Sequence, residues 1–133
     1  TPMQWSTDKN GGFTIGEPWI KVNPNYEHIN ATNQLSNNGS VLFFYRQMIQ
    51  IRKKYSTLVY GEYRDLLPED PNIFAYLRSD KERQLFVALN FSNEHQYLEL
   101  DLNLQNTIQL VSNYPETSTP YSLAPWQASL YLL

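Results

Sequence analysis

Thirteen carboxylates and two histidines are the side chains with which this 133-residue chain would do acid–base or metal chemistry. Two carboxyl groups about 5–5.5 Å apart, held on rigid elements across a substrate, can run an acid-assisted double displacement. The acids here are not spaced for it. Glu69 and Asp70 are neighbours in a turn between two prolines, Glu62 and Asp65 flank exposed strand positions, and Glu94 and Glu99 belong to a hairpin. Solvated surface is the ordinary place for each. His28 and His95 are far apart in the chain and lack the companion ligands of a metal site, so both are expected at the surface. No glycine-rich phosphate loop, nucleophile elbow or paired-histidine zinc motif is present, and the sequence calls for no cofactor and no metal.

Composition narrows the remaining classes. A net charge of -3 with ten Lys and Arg leaves no electrostatic footprint for nucleic acid. No apolar run approaches the length of a membrane span, so a soluble protein without a membrane partner is expected. The absence of cysteine removes disulfides and thiolate metal sites and favours a reducing, cytoplasmic setting. Three N-x-S/T triplets, at Asn30, Asn38 and Asn90, are near the number this Asn, Ser and Thr content produces by chance. A hydrophobic content of 41% suits one ordinary core.

Three zones must position whatever these residues do. Residues 1–39 hold seven of the thirteen Asn and four of the five Gly, and with Trp5, Phe13, Trp19 and Tyr26 they read as an irregular arm shaped by packing, with one short helix near Ile29 to Leu35. Residues 40–56 read as a helix capped by Ser40, with Lys53 and Lys54 in the last turn. Val41, Leu42, Phe44, Tyr45, Met48, Ile49, Ile51 and Tyr55 cover about half its circumference, wider than the roughly 100° stripe that one partner needs, so cover from two sides is expected. Arg52, inside that arc, must snorkel or pair with a carboxylate.

Residues 57–133 change to strand-like patterning. Strands are expected at Val59 to Leu67, Ile73 to Arg78, Leu85 to Phe91, Tyr97 to Leu102, Thr107 to Ser112 and Ala128 to Leu133, joined mostly as local hairpins, with a longer polar connection from Asn113 to Pro120. Such spacing predicts a mainly β fold, an antiparallel β-sandwich.

The wording of the chain carries further information. TPMQW at Thr1 to Trp5, GGFT at Gly11 to Thr14 and PWIKVNPNY at Pro18 to Tyr26 resemble the end of the catalytic barrel in α-glucosidases of the α-amylase superfamily, glycoside hydrolase family 13. The resemblance is nearest to oligo-1,6-glucosidases, dextran glucosidases, trehalose-6-phosphate hydrolases and sucrose isomerases. It continues through SVLFFYRQMIQIRKKY at Ser40 to Tyr55, then YGEYRDLL and NIFAYLR, to LAPWQASLYLL at Leu123 to Leu133.

The resemblance implies that residues 1–39 are the last barrel loop, 40–56 the last barrel helix of a (β/α)8 barrel, and 57–133 the α-amylase-type C-terminal domain. It places the nucleophile, the acid/base and the third essential carboxylate upstream of Thr1. This region is then an inactive accessory part of a retaining α-glucosidase that cleaves α-1,6 or α-1,4 bonds in short oligosaccharides. Its partner is the catalytic barrel of its own chain, and an α-glucoside oligosaccharide binds in the intact enzyme alone. Gln4 and Trp5, just past the last barrel strand, become the substrate-proximal candidates. A family-typical Asp after the Trp is Ser6 here, which weakens transfer of a ligand role to position 6. Trp126 is expected to help seal the sandwich. Two rivals stand beside this reading: an independent carbohydrate-binding module using exposed aromatics, and a structural domain that forms a homodimer through the helix at 40–56.

Overall fold

The computed structural model describes residues 1–114 and 119–133, so part of the connection expected from Asn113 to Pro120 lies outside the described residues. The backbone groups into two compact units, Thr1–Ile49 and Gln50–Leu133.

The first unit is held by turns and polar side chains. It carries short 3-10 turns at Lys9–Gly12 and Pro24–Glu27, helix α1 at Ala31–Leu35, and most of helix α2, which runs Val41–Lys54. Asn10, Gly11 and Gly12 take positive φ in succession, a reversal that glycine tolerates and that a Cβ penalises. The reversal lets the backbone N–H groups of Trp5 and Ser6 both donate to the Gly11 carbonyl, at 2.7 and 3.1 Å. Asn30 is the side-chain cap of α1, accepting from the Asn33 N–H at 2.9 Å. Ser40 caps α2 as its type predicts, accepting from the Phe43 N–H at 3.1 Å, and its own hydroxyl donates to the Gln34 carbonyl at 2.7 Å. No residue of α2 is buried, and Val41 and Tyr45 are prominent on its surface.

The second unit contains the sandwich. Strands β1 (Glu62–Asp65), β2 (Ile73–Ser79), β3 (Gln84–Asn90), β5 (Ile108–Ser112) and β7 (Ala128–Leu132) form one antiparallel sheet in the order β1-β2-β3-β7-β5. The short strands β4 (Gln96–Tyr97) and β6 (Ser122–Leu123) form a second, two-stranded sheet. Period-2 alternation turns Ile73, Ala75, Leu77, Phe86, Ala88 and Tyr131 to one face, where they meet Leu98, Leu104 and Leu123 in the buried core.

Three expectations change at this level. The run Val59 to Leu67 is not one strand: Thr57–Tyr60 forms a helical turn, α3, closed by bonds from the Tyr60 and Gly61 N–H groups to the Ser56 and Thr57 carbonyls, and β1 begins at Glu62. The run Tyr97 to Leu102 is strand at Gln96–Tyr97 alone. Its leucines still alternate inward, but the Tyr121 hydroxyl replaces a ladder partner, donating to the Leu102 carbonyl and accepting from the Leu104 N–H at 2.8 Å. Finally, β1, β2 and β3 are hairpin neighbours as expected, whereas β7 is inserted between β3 and β5 and β4 pairs with β6 across a long stretch of chain.

α3 is locked onto the end of β2. Thr57 is buried and its hydroxyl donates to the Asp80 carboxylate; Arg78 donates from Nη2 to the Val59 carbonyl at 2.9 Å. A Cβ at Gly61 would stand 2.6 Å from the Thr57 carbonyl oxygen and 2.8 Å from that of Ser79, so the chain passes here without room for a side chain. Arg52 pairs with no carboxylate among the described residues; it reaches the Leu58 carbonyl at 3.4 Å, the snorkelling alternative.

The hydroxyl of Thr57, followed by the backbone N–H groups of Glu82 and Arg83, holds the Asp80 carboxyl below its ordinary value. A depressed folded-state value means that the Asp80 contribution is complete above about pH 4 and is lost as the pH falls further. Asp80→Asn should therefore flatten the acid limb of the thermal stability profile below about pH 4. Superimposable profiles for the two proteins would show that the Thr57–Asp80 contact contributes nothing.

Candidate functional site

Gln4 and Trp5 sit where three segments of the first unit meet. The Gln4 amide donates from Nε2 to Asn25 Oδ1 at 2.9 Å and to the Ile29 carbonyl at 2.6 Å. The backbone carbonyls of Gln4 and Trp5 accept from the N–H groups of Ala31 and Thr32 at 2.9 and 3.1 Å, and the Thr32 hydroxyl adds a bond to the Trp5 carbonyl at 3.0 Å. The side-chain nitrogen of Gln4 is thus spent on bracing the loop. Trp5 is different, because its backbone is pinned while its ring is 53% exposed. Ser6 occupies the space above Gly12: a Cβ there would come within 2.5 Å of its Oγ, which instead donates to Asp8 Oδ2 at 2.7 Å.

The acids behave as caps. Asp70 Oδ1 accepts from the N–H groups of Asn72 and Ile73, both at 2.9 Å, and Asp65 accepts from the Leu67 N–H and the Tyr63 hydroxyl, both at 3.2 Å. Asp65, Glu99 and Asp101 line one open pocket of about 250 Å³. A second pocket of about 410 Å³ lies over the joint between α3 and β1, lined by Tyr60, Gly61, Glu62, Ser79, Asp80 and Lys81. Among the described residues no three His, Cys, Asp or Glu side chains gather as a metal site would require. His28 and His95 are exposed.

The aromatic side chains divide by face. Tyr63, Tyr76 and Phe74 form a row on β1 and β2, with ring centroids 5.3 and 5.1 Å apart. Burial raises the Tyr76 phenol above its ordinary value while Arg78 and Arg52 pull it back. Trp126 does not seal the sandwich. It is 59% exposed, and Gln127 beside it is the residue that turns inward. Pro125 at the second position of the tetrad Ala124-Pro125-Trp126-Gln127 marks a turn there, which takes Trp126 out of strand alternation, but the positive φ of Trp126 is not specified by that proline.

The described residues thus combine an irregular, helix-bearing unit with an antiparallel β domain. The model for the alpha amylase catalytic domain matches residues 1–61, and the model for the maltogenic amylase C-terminal domain matches residues 63–128. The chain belongs to the α-amylase family, carrying the end of its catalytic domain and its C-terminal β domain.

The chain is similar to the oligo-1,6-glucosidase of Halalkalibacterium halodurans, 41% identical over 99% of this chain and 25% of that protein. It is likewise 41% identical to the glucan 1,6-alpha-glucosidase of Streptococcus pneumoniae, over 96% of this chain and 24% of that protein. A solved trehalulose synthase superposes with a TM-score of 0.89 and 36% identity, over 100% of this chain and 25% of its own. The chain thus spans about a quarter of the length of the curated relatives that it matches. The two family models adjoin between residues 61 and 63, at the joint of α3 and β1, where Arg78 bonds to the Val59 carbonyl and Gly61 passes close to the Thr57 and Ser79 carbonyls. No helix among the described residues is long and apolar enough to cross a membrane.

Proposed function

We propose that this chain is the C-terminal accessory region of a cytoplasmic α-glucosidase that hydrolyses α-1,6 or α-1,4 bonds in short oligosaccharides with retention of configuration, and that it braces the catalytic barrel without catalysing by itself. One observation carries the bracing role. Among the described residues, thirteen of the twenty exposed large hydrophobic side chains lie in Thr1–Ile49, and that unit contributes none of the buried hydrophobic core. Ile15 is fully exposed and Trp19 is 89% exposed. A segment this apolar without a core of its own is the surface of something larger. The rest of an α-amylase-type barrel has the chemistry to cover it, since residues 1–61 match the end of that domain.

The expected result is turnover of p-nitrophenyl α-glucoside and isomaltose by the chain joined to an upstream catalytic barrel, and none by residues 1–133 alone. Turnover by the short chain that survives repurification would overturn the accessory reading. The exposed face of α2 also gives the isolated chain a surface for a homodimer through residues 40–56. A molar mass in light scattering that stays monomeric at high concentration would remove that second role.

A further inference from the structure

We propose that the turn carrying Trp126 is a surface binding site for α-linked glucose oligosaccharides, with a pyranose ring stacked on the exposed indole. The choice of sugar rests on the α-glucosidase reading above; the existence of the site rests on the turn itself.

Residues 124–127 form a tight turn closed by a bond from the Gln127 N–H to the Ala124 carbonyl at 3.1 Å, with Pro125 second and Trp126 third. Trp126 has φ 59°, the left-handed conformation that glycine or asparagine ordinarily supplies at the third position of such a turn. A bulky side chain there is an outlier that costs free energy. Burial of so large a ring would normally offset that cost. Here it does not, because 59% of the residue remains exposed.

The turn is nevertheless held from every side. The Trp126 N–H donates to the Ser92 carbonyl at 3.1 Å, and its carbonyl accepts from Asn113 Nδ2 at 2.8 Å. The Tyr114 hydroxyl donates to the Pro125 carbonyl at 2.7 Å. Beneath, Gln127 and Asn90 are both buried: Gln127 Oε1 accepts from the Ala124 N–H at 2.8 Å, and Asn90 Nδ2 donates to the Ala124 carbonyl at 2.9 Å. A strained aromatic, rigidly presented and uncovered, is preorganised for a ligand.

Its surroundings favour a sugar. Phe91, equally exposed, lies between Asn90, whose N–H donates to the Gln127 carbonyl, and Ser92, whose carbonyl accepts the Trp126 N–H, and the exposed polar residues Asn93 and Glu94 follow in the same loop. An apolar face with hydrogen-bonding groups at its edge matches a pyranose, which has an apolar ring face and hydroxyls around it. A protein interface would need a broader apolar centre.

The chain has three tryptophans, so its 15N–1H spectrum offers Trp126, Trp5 and Trp19 as separate indole reporters. On titration with isomaltotriose the Trp126 indole N–H should shift saturably while the other two stay fixed. Trp126→Asn should weaken binding about tenfold through loss of the stacking surface. The same variant should keep or raise the melting temperature, because asparagine accepts the left-handed backbone. A silent Trp126 signal, equal shifts on all three indoles, or a variant of lowered stability with unchanged binding would each overturn the site. So would a dimer of the parent chain that Trp126→Asn converts to monomer, which would make the turn a protein contact. Hydrolysis by the barrel-joined enzyme with a silent Trp126 would sink this site alone; a responsive Trp126 in an enzyme without hydrolysis would sink the α-glucosidase reading alone.

Discussion

Phe86→Ala should destabilise the sandwich by about 3–5 kcal/mol, enough to threaten folding of a domain this size. Phe86 is fully buried on β3, opposite Leu77 of β2 on one side and Tyr131 of β7 on the other. Its ring stacks on Tyr131 with centroids 6.0 Å apart and planes 24° from parallel. The neighbours that would have to close the cavity belong to the two ladders that enclose β3. They cannot approach without breaking register, so little of the lost packing is recovered. Phe74→Ala, on the opposite and half-open face of β2, is the control and should cost much less. Urea unfolding monitored by circular dichroism measures both. A loss of under about 1 kcal/mol for Phe86→Ala, the ordinary effect of a surface change, would mean that the core is not organised around β3.

Asn90→Ala is expected to be the most damaging polar substitution. The side chain is buried and its four bonds tie three segments together. Nδ2 donates to the carbonyls of Glu94 and Ala124 at 2.7 and 2.9 Å, while Oδ1 accepts from the Ser92 N–H and hydroxyl at 2.9 and 2.7 Å. Truncation leaves backbone groups short of partners, at about 1–3 kcal/mol for each that stays buried and unsatisfied. Asn90→Asp separates hydrogen bonding from shape. It is isosteric and keeps the acceptor, but it turns a carboxylate oxygen toward two carbonyls, so it should fail to restore stability at neutral pH. Full stability in Asn90→Asp would show that the Nδ2 bonds contribute little. Hydrogen exchange offers a second reading: both variants should loosen the amides of Trp126 and Gln127, whose turn Asn90 supports, before those of β2.

Much of this architecture was legible because local sequence has its own physics. Ser40 can cap a helix wherever a helix follows, and it does so on α2. Period 2 along Ile73–Ser79 and Gln84–Asn90 demands one buried face, and it selects Ile73, Ala75, Leu77, Phe86 and Ala88, while Leu85 is buried on the opposite face as well. Even where Leu98, Leu100 and Leu102 lack a ladder, their alternation still marked what packs inward. The words shared with α-glucosidases carried the family, since they record a whole fold in a few loops.

The rest depended on partners distant in the chain. Leu58, Val59 and Tyr60 have strand-forming chemistry, yet Asp80 and Arg78, about twenty residues on, hold the Thr57–Tyr60 segment as a helical turn. The candidate site shows the same limit: nothing near Gln4 says that Asn25 and Ile29 will occupy its amide. The family resemblance implies a sealing role for Trp126, and the left-handed turn that it occupies leaves its ring exposed while Gln127 is buried. The sequence by itself determined the helix, the faces of the long strands and the family, because propensity, periodicity and wording are local or recorded word by word. Only the tertiary structure decided that β7 would sit between β3 and β5, that the Gln4 amide would meet Asn25 and Ile29, and that Trp126 would stand in the open. Strand order, hydrogen-bond partners and exposure are settled by which distant segments meet, and no single segment carries that information.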